Sequence, residues 1–153
     1  MDEMDIRILN VLQDNGRITN AQLAATVGLS PSATSERVRR LEEAGYIEKF
    51  VAIINPVRIN KSVHAFIFVT LEAHHADIIE TFMKSVEALD DVLECYHISG
   101  QSDYMMKVAV RDIPEYERFL REKLTKIPGI DRVNTSFVLK NFKKSYKYNL
   151  GKS

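Results

Sequence analysis

Apolar positions in the first third of the chain recur at helical spacing. Met4, Ile8, Val11 and Leu12 predict a helix over residues 2–13. Asp14-Asn15-Gly16 ends it, with Gly16 free to take a positive φ. Thr19 and Gln22 have the spacing of a capping box, each side chain meeting the other residue's backbone N–H. Leu23, Val27 and the alanines between them give the second helix a small core-facing stripe, which Gly28 closes while Leu29 plugs the turn. Ser30 and Pro31 start a third helix: serine accepts a free N–H as N-cap, and proline at the first helical position loses no hydrogen bond. With Val38 at the buried centre, Thr34 and Leu41 also fall inside. Ser32, Ala33, Glu36, Arg39 and Arg40 fall outside, and Arg37 lies on the flank. Gly45 ends this helix, and residues 46–54 alternate well enough to predict a short strand or wing.

Beyond the turn at Asn55-Pro56 the pattern becomes mixed. Strands are predicted over 63–71, 92–99, 104–111 and 132–142. A helix over 76–89 carries Ile79, Phe82, Met83 and Val86 on one side. Another over 115–127, begun by Asp112 and Pro114, carries Tyr116, Phe119, Leu120 and Leu124. The order β-α-β-β-α-β is the ferredoxin-like arrangement, whose sheet has helices on one face only. Yet the first strand is apolar on both sides, Val63, Ala65, Ile67 and Val69 alternating with Phe66 and Phe68. A second copy of the sheet is expected to cover the outer set, making a homodimer. The fold class is therefore α+β: a winged helix-turn-helix over 1–50, a connecting strand and linker over 51–62, a ferredoxin-like βαββαβ domain over 63–142, and a basic tail over 143–153.

Composition narrows the function. A helix-turn-helix places its second helix in the DNA major groove, but DNA-binding domains are usually basic. This chain has 21 Lys/Arg against 21 Asp/Glu, and six against eight in residues 1–50. One copy should bind phosphate weakly, so several copies must act together, gaining affinity through effective concentration. The acidic start MDEMD has no apolar h-region, and no apolar run nears the length of a membrane span; both point to the cytoplasm. The single cysteine, Cys95, excludes an intrachain disulfide framework. His74 and His75 are adjacent rather than ligand-spaced, and the glycines are isolated, so no metal, cofactor, phosphate-loop or catalytic constellation is expected.

On the third helix, Arg40 offers a fork to guanine O6/N7, Ser32 a donor to base or phosphate, and Ala33 a contact for a thymine methyl. Glu36 either accepts from cytosine N4 or pairs with Arg40 one turn on. Arg37 and Arg39 are read as phosphate contacts, setting register rather than sequence. The tail Lys143-Lys144-Ser145-Tyr146-Lys147 is either a solvated end or a further contact for DNA wrapped round an assembly. Taken by itself, Gly100-Gln101-Ser102-Asp103 is a β-hairpin loop.

The pattern DxxDxxIL…LSP…SERVRRLEEAGYI…NP, followed by ECYHISGQSDYMMKV and IPGIDRVNTSFVLK, resembles the Lrp/AsnC family of transcriptional regulators over nearly the whole chain. The resemblance implies a winged helix-turn-helix joined to a ferredoxin-like effector domain, binding double-stranded DNA as dimers that assemble into tetramers or octamers. It implies no cofactor, and an amino-acid effector held between dimers near Gly100, Gln101, Ser102, Asp103 and Tyr104, with Thr135, Ser136 and Phe137 as secondary lining. Asp103 would accept from the effector's ammonium, and the N–H groups of Gly100–Ser102 would meet its carboxylate. Met105, Met106 and Phe137 nearby lean towards an apolar amino acid. Two other functions stay open: an architectural DNA-binding protein that ignores metabolites, and a metabolite sensor that no longer reads DNA.

Overall fold

Side-chain caps set the helix starts of the N-terminal unit. The computed structural model describes residues 1–151, and these divide into two units: Met1–Ile53 with the segment from Lys143 onward, and Ile54–Phe142. Helix α1 spans Glu3–Asp14 and begins with a reciprocal pair of aspartates. The Asp5 N–H donates to Asp2 at 2.8 Å and the Asp2 N–H donates to Asp5 at 2.9 Å. Helix α2 (Asn20–Val27) has the expected Thr19/Gln22 capping box and ends at Gly28 with φ 79°. Helix α3 (Pro31–Glu43) starts at the Ser30 cap. It closes with the Tyr46 N–H on the Leu41 carbonyl and the Gly45 N–H on the Glu42 carbonyl, the two bonds that let glycine satisfy a helix end. Ile8, Leu9, Leu23, Val27 and Leu41 form the buried centre, while Val38 is half-buried beside it.

Two expectations for this unit are corrected. Gly16 does not take a positive φ; it lies in the turn after α1 beside the Phe50 ring, whose Cδ1 is 3.4 Å from where a Cβ would stand. Residues 46–54 form no strand or wing sheet: no strand of the same chain lies beside them, and alternation without a hydrogen-bonding edge does not make a strand. Val51, Ile53 and Ile54 are left exposed.

The second unit opens with a 3-10 turn at Pro56–Ile59. Its strands are β1 (Val63–Leu71), β2 (Val92–His97), β3 (Tyr104–Val110) and β4 (Ile130–Phe137), in the antiparallel order β2-β3-β1-β4. Helices α4 (Ala76–Glu87) and α5 (Ile113–Glu122) bury Phe82, Val86, Tyr116 and Phe119 in one cluster with Ala65, Ile67, Val69 and Leu71 of β1. This is the expected ferredoxin-like layout.

Three details differ from expectation. Met83 is 51% exposed, because α4 turns Ile78, Ile79, Phe82 and Val86 towards the core. Helix α5 starts earlier and stops at Glu122; a 3-10 turn at Leu124–Lys126 then keeps Leu124 and Ile127 buried. Strand β4 stops at Phe137 rather than 142, since beyond the Val138 N–H bond to the His64 carbonyl no neighbour continues the ladder. Among the described residues no helix is long and apolar enough to cross a membrane.

Gly129 is the most crowded of the glycines among the described residues. It has φ 83°, and a Cβ there would lie 2.5 Å from Ile78 Cγ2. Gly129→Ala combines left-handed strain with overpacking and is expected to cost about 2–4 kcal/mol. Urea denaturation of the variant checks this; a loss well under 1 kcal/mol would mean that Ile78 moves aside freely.

Candidate functional site

Helix α3 carries three arginines, and its surroundings give each a different task. Arg37 is only 25% exposed, and its Nη1 donates to Asp2 Oδ2 and Asp5 Oδ1, both at 2.7 Å. The two aspartates that cap α1 therefore also clamp α3 through Arg37 Nη1, a structural role beside the phosphate contact expected of this residue. Arg39 reaches along its own helix to Glu36 at 2.7 Å and Glu43 at 2.5 Å. Glu36 thus pairs with Arg39, not with Arg40 as the spacing suggested, and the arginine's hydrogen bonds draw the Glu36 carboxyl below its ordinary range. With both neighbours carboxylates, Arg39 is internally neutralised. Arg40 is exposed and makes no ion pair among the described residues.

The start of α3 is equally organised. Thr34 is fully buried and its hydroxyl donates to the Ser30 carbonyl at 3.0 Å. Ser32 and Ala33 are exposed beside it, with Ser32 Oγ 3.2 Å from Ser30 Oγ. Asn20, a residue the pattern did not single out, donates from its side chain to the Pro31 carbonyl at 2.8 Å and ties the first turn of α2 to that of α3. The exposed polar face of α3 is thus Ser32, Ala33, Glu36, Arg39 and Arg40. Arg40 supplies its uncommitted cation.

The eight candidate effector residues fall into three groups in one chain. Gly100, Gln101, Ser102 and Asp103 form the β2–β3 loop, and Gly100 has φ 126° with open space around it. Asp103 is already engaged: one carboxylate oxygen accepts the Leu71 N–H at 2.8 Å, and the other lies 2.8 Å from His74 Nε2. Those contacts, the Leu71 N–H first, lower its pKa. Lone pairs remain for another donor, since a carboxylate offers about four acceptor sites. Tyr104 faces the helices, packed on Phe82 at 4.6 Å and stacked with His97 at 5.1 Å, and burial raises its hydroxyl pKa.

Thr135 and Phe137 lie on the same side of β4, where Tyr116 of α5 bonds Thr135 and meets Phe137 edge-on at 4.9 Å. Ser136 points to the opposite face, in the cross-strand row of Phe66, Lys107 and Glu94. Met105 and Met106 face opposite sides of β3; Met106 is fully buried in the core and cannot line a pocket on the outer face. His74 is the residue the sequence pattern missed. The one signal it gave was its adjacency to His75, which says nothing about Asp103. Among the described residues no group of three or more His, Cys, Asp or Glu is placed to hold a metal ion.

Known proteins resemble both units. Residues 64–148 match the family described as Lrp/AsnC ligand binding domain, and residues 1–48 match winged helix-turn-helix DNA-binding. The leucine-responsive regulatory protein of Klebsiella pneumoniae is 39% identical over 145 residues, 95% of this chain and 88% of the relative. A transcriptional regulator of Neisseria meningitidis, solved as a complex with L-Met, superposes with a TM-score of 0.92 at 36% identity, covering 95% of this chain and 94% of the other. Escherichia coli AsnC superposes with a TM-score of 0.86 at 30% identity, covering 94% and 95%.

The Arg37 clamp has a pH signature. Arg37 holds the Asp2 carboxyl at about 2, below its ordinary 3.8. A depressed folded-state value means that the stabilisation is present above about pH 4 and is lost as pH falls through 2. Asp2→Asn keeps a good N-cap but removes the charge. It is expected to unfold at lower urea than wild type at pH 6, with the gap closing between pH 4 and pH 2. A gap that stays constant over that range assigns the effect to something other than the clamp.

Proposed function

The chain belongs to the Lrp/AsnC family of DNA-binding transcriptional regulators, and from that premise we propose that Arg40 is its principal base-reading residue and that an amino acid controls its assembly. The observation that carries the first part is the division of labour on α3. Arg37 and Arg39 are held by carboxylates, whereas Arg40 stands exposed and unpaired on the face that also presents Ser32 and Ala33. An arginine already in a carboxylate fork has little left for guanine; a free one has its full donor set. Arg39 and Glu36 act as a paired unit at the rim of the contact.

The effector is a small amino acid, and an apolar one by analogy with the Neisseria regulator solved with L-Met. It docks at the Gly100–Tyr104 loop, where Asp103 has acceptor capacity for an ammonium. The Thr135–Phe137 segment lies across β1 from that hairpin, and a second copy of the chain is the source of the remaining wall. Phe66, Phe68 and Met105, half-buried on the sheet face away from the helices, give that second copy an apolar surface to cover. Dimers joined there associate into tetramers or octamers in the cytoplasm, and the effector acts by binding two assembly states unequally. A coupling of about 1–3 kcal/mol is enough for a 5–150-fold change in DNA affinity.

Two measurements test this reading. Arg40→Ala should weaken binding to a preferred genomic fragment about tenfold or more and relax its sequence preference, whereas Arg39→Ala should leave the preference in place. Equal preference in Arg40→Ala and wild type would sink the assignment. Melting in each common amino acid, with particle size read alongside, should pick out one or a few apolar ligands. A ligand at a hundred times its Kd adds about 2.7 kcal/mol to the stability of the state that binds it. No shift with any of them favours an architectural DNA-binding protein instead.

A further inference from the structure

The C-terminal segment belongs to the DNA-binding unit, not to the sheet that precedes it. From Lys143 onward the chain groups with Met1–Ile53. It is held there at the end of α1 by three kinds of contact. The Tyr148 N–H donates to Gln13 Oε1 at 2.6 Å, and Gln13 Nε2 donates back to the Tyr148 carbonyl at 3.2 Å. Lys147 Nζ pairs with Asp14 Oδ2 at 2.5 Å. Leu150 is half-buried against the cluster of Ile8, Leu9, Leu23, Val27 and Leu41.

This docking changes the charge of the unit. Residues 1–53 carry six Lys/Arg against eight Asp/Glu, and residues 143–151 bring Lys143, Lys144 and Lys147 with no acidic side chain. Lys147 cancels Asp14, the carboxylate at the end of α1. Lys143 and Lys144 are exposed without an ion pair among the described residues; Lys144 Nζ lies 5.4 Å from the centre of the Tyr146 ring. The docking place matters too. Asp14 leads into the turn that carries Arg17 and ends at Asn20, whose side chain touches Pro31 at the start of α3. In a helix-turn-helix the N-terminal part of the recognition helix meets the bases, and neighbouring elements cross the phosphate backbone.

We propose that Lys143 and Lys144 are phosphate contacts which the C-terminal segment supplies to the helix-turn-helix by docking on Gln13 and Asp14. The partner is the DNA backbone, read by charge and not by sequence. This inference rests on the DNA-binding reading above.

The test is the salt dependence of binding by the full-length protein, because each phosphate neutralised adds about 0.9 to the slope of log affinity against log salt. Lys143→Ala/Lys144→Ala should lower the slope by about 1–2 and weaken specific and non-specific fragments alike, with particle size unchanged. Gln13→Ala keeps every lysine but removes the Tyr148 pairing, and it should lower the slope in the same direction. Lys140→Ala, in the other unit, should leave it unchanged. A wild-type slope in the double variant overturns the proposal, as does a lower slope that appears only with a smaller particle. Wild-type protein that binds no DNA at moderate salt instead overturns the DNA-binding reading itself.

Discussion

Strand β1 is the element on which the second unit depends. It has a partner on each side, β3 and β4, so its backbone groups lie inside the sheet. Its alternate residues Ala65, Ile67, Val69 and Leu71 are the floor on which α4 and α5 pack. A slip of one residue would exchange these for His64, Phe66, Phe68 and Thr70 and turn the helices onto the wrong face. The end of β1 also organises the candidate effector loop. Asp103 takes the Leu71 N–H and gives its own N–H to the Val69 carbonyl, so the loop is pinned to the strand that carries the core. Any ligand that draws on Asp103 therefore pulls on the central strand, and through it on the outer face where Phe66 and Phe68 sit.

The N-terminal unit has a different organising logic, the allocation of charge. Its acids exceed its bases before the tail is added, and most of α3's cations are spent on order. Arg37 holds α3 to α1, and Arg39 staples two glutamates along one face. A short three-helix unit has little core to hold a recognition helix in place, so charged pairs share that work. On the proposed reading the contact with DNA is economical: one arginine outside any ion pair, Ser32 and Ala33 beside it and, from the segment after the sheet, two lysines.

What was legible in the sequence was local. Thr19 with Gln22, Ser30 with Pro31, and Asp112 each set a helix start through hydrogen bonds within three residues, and all three hold in the structure. The limits of β1 were equally clear, because Lys61-Ser62 and Glu72 bound a largely apolar run of strand length. What was not legible depended on neighbours distant in sequence. Gly16 does sit in the turn after α1, but its φ is not positive and the Phe50 ring lies beside it. Met83 fits the apolar stripe of α4 until the sheet selects Ile78. The candidate site divides the same way. The exposed face of α3 follows from helical periodicity, but the partners that commit Arg37 and Arg39 are settled by where Asp2, Asp5 and Glu43 come to rest. The His74–Asp103 contact, which joins residues 29 apart, had no local signal at all.

The return of the last segment to α1 makes the DNA-binding unit discontinuous along the chain. Gln13 of its first helix and Tyr148, which bond to each other, stand 135 residues apart in sequence. During synthesis the helix-turn-helix emerges ahead of the whole sheet unit, as N-terminal domains generally do. At that stage it has its capped helices and Arg40, yet it still carries an unpaired Asp14 and an excess of acid. Until the segment from Lys143 onward has been made and has docked on α1, the unit lacks those lysines and would hold phosphate less well than the folded chain.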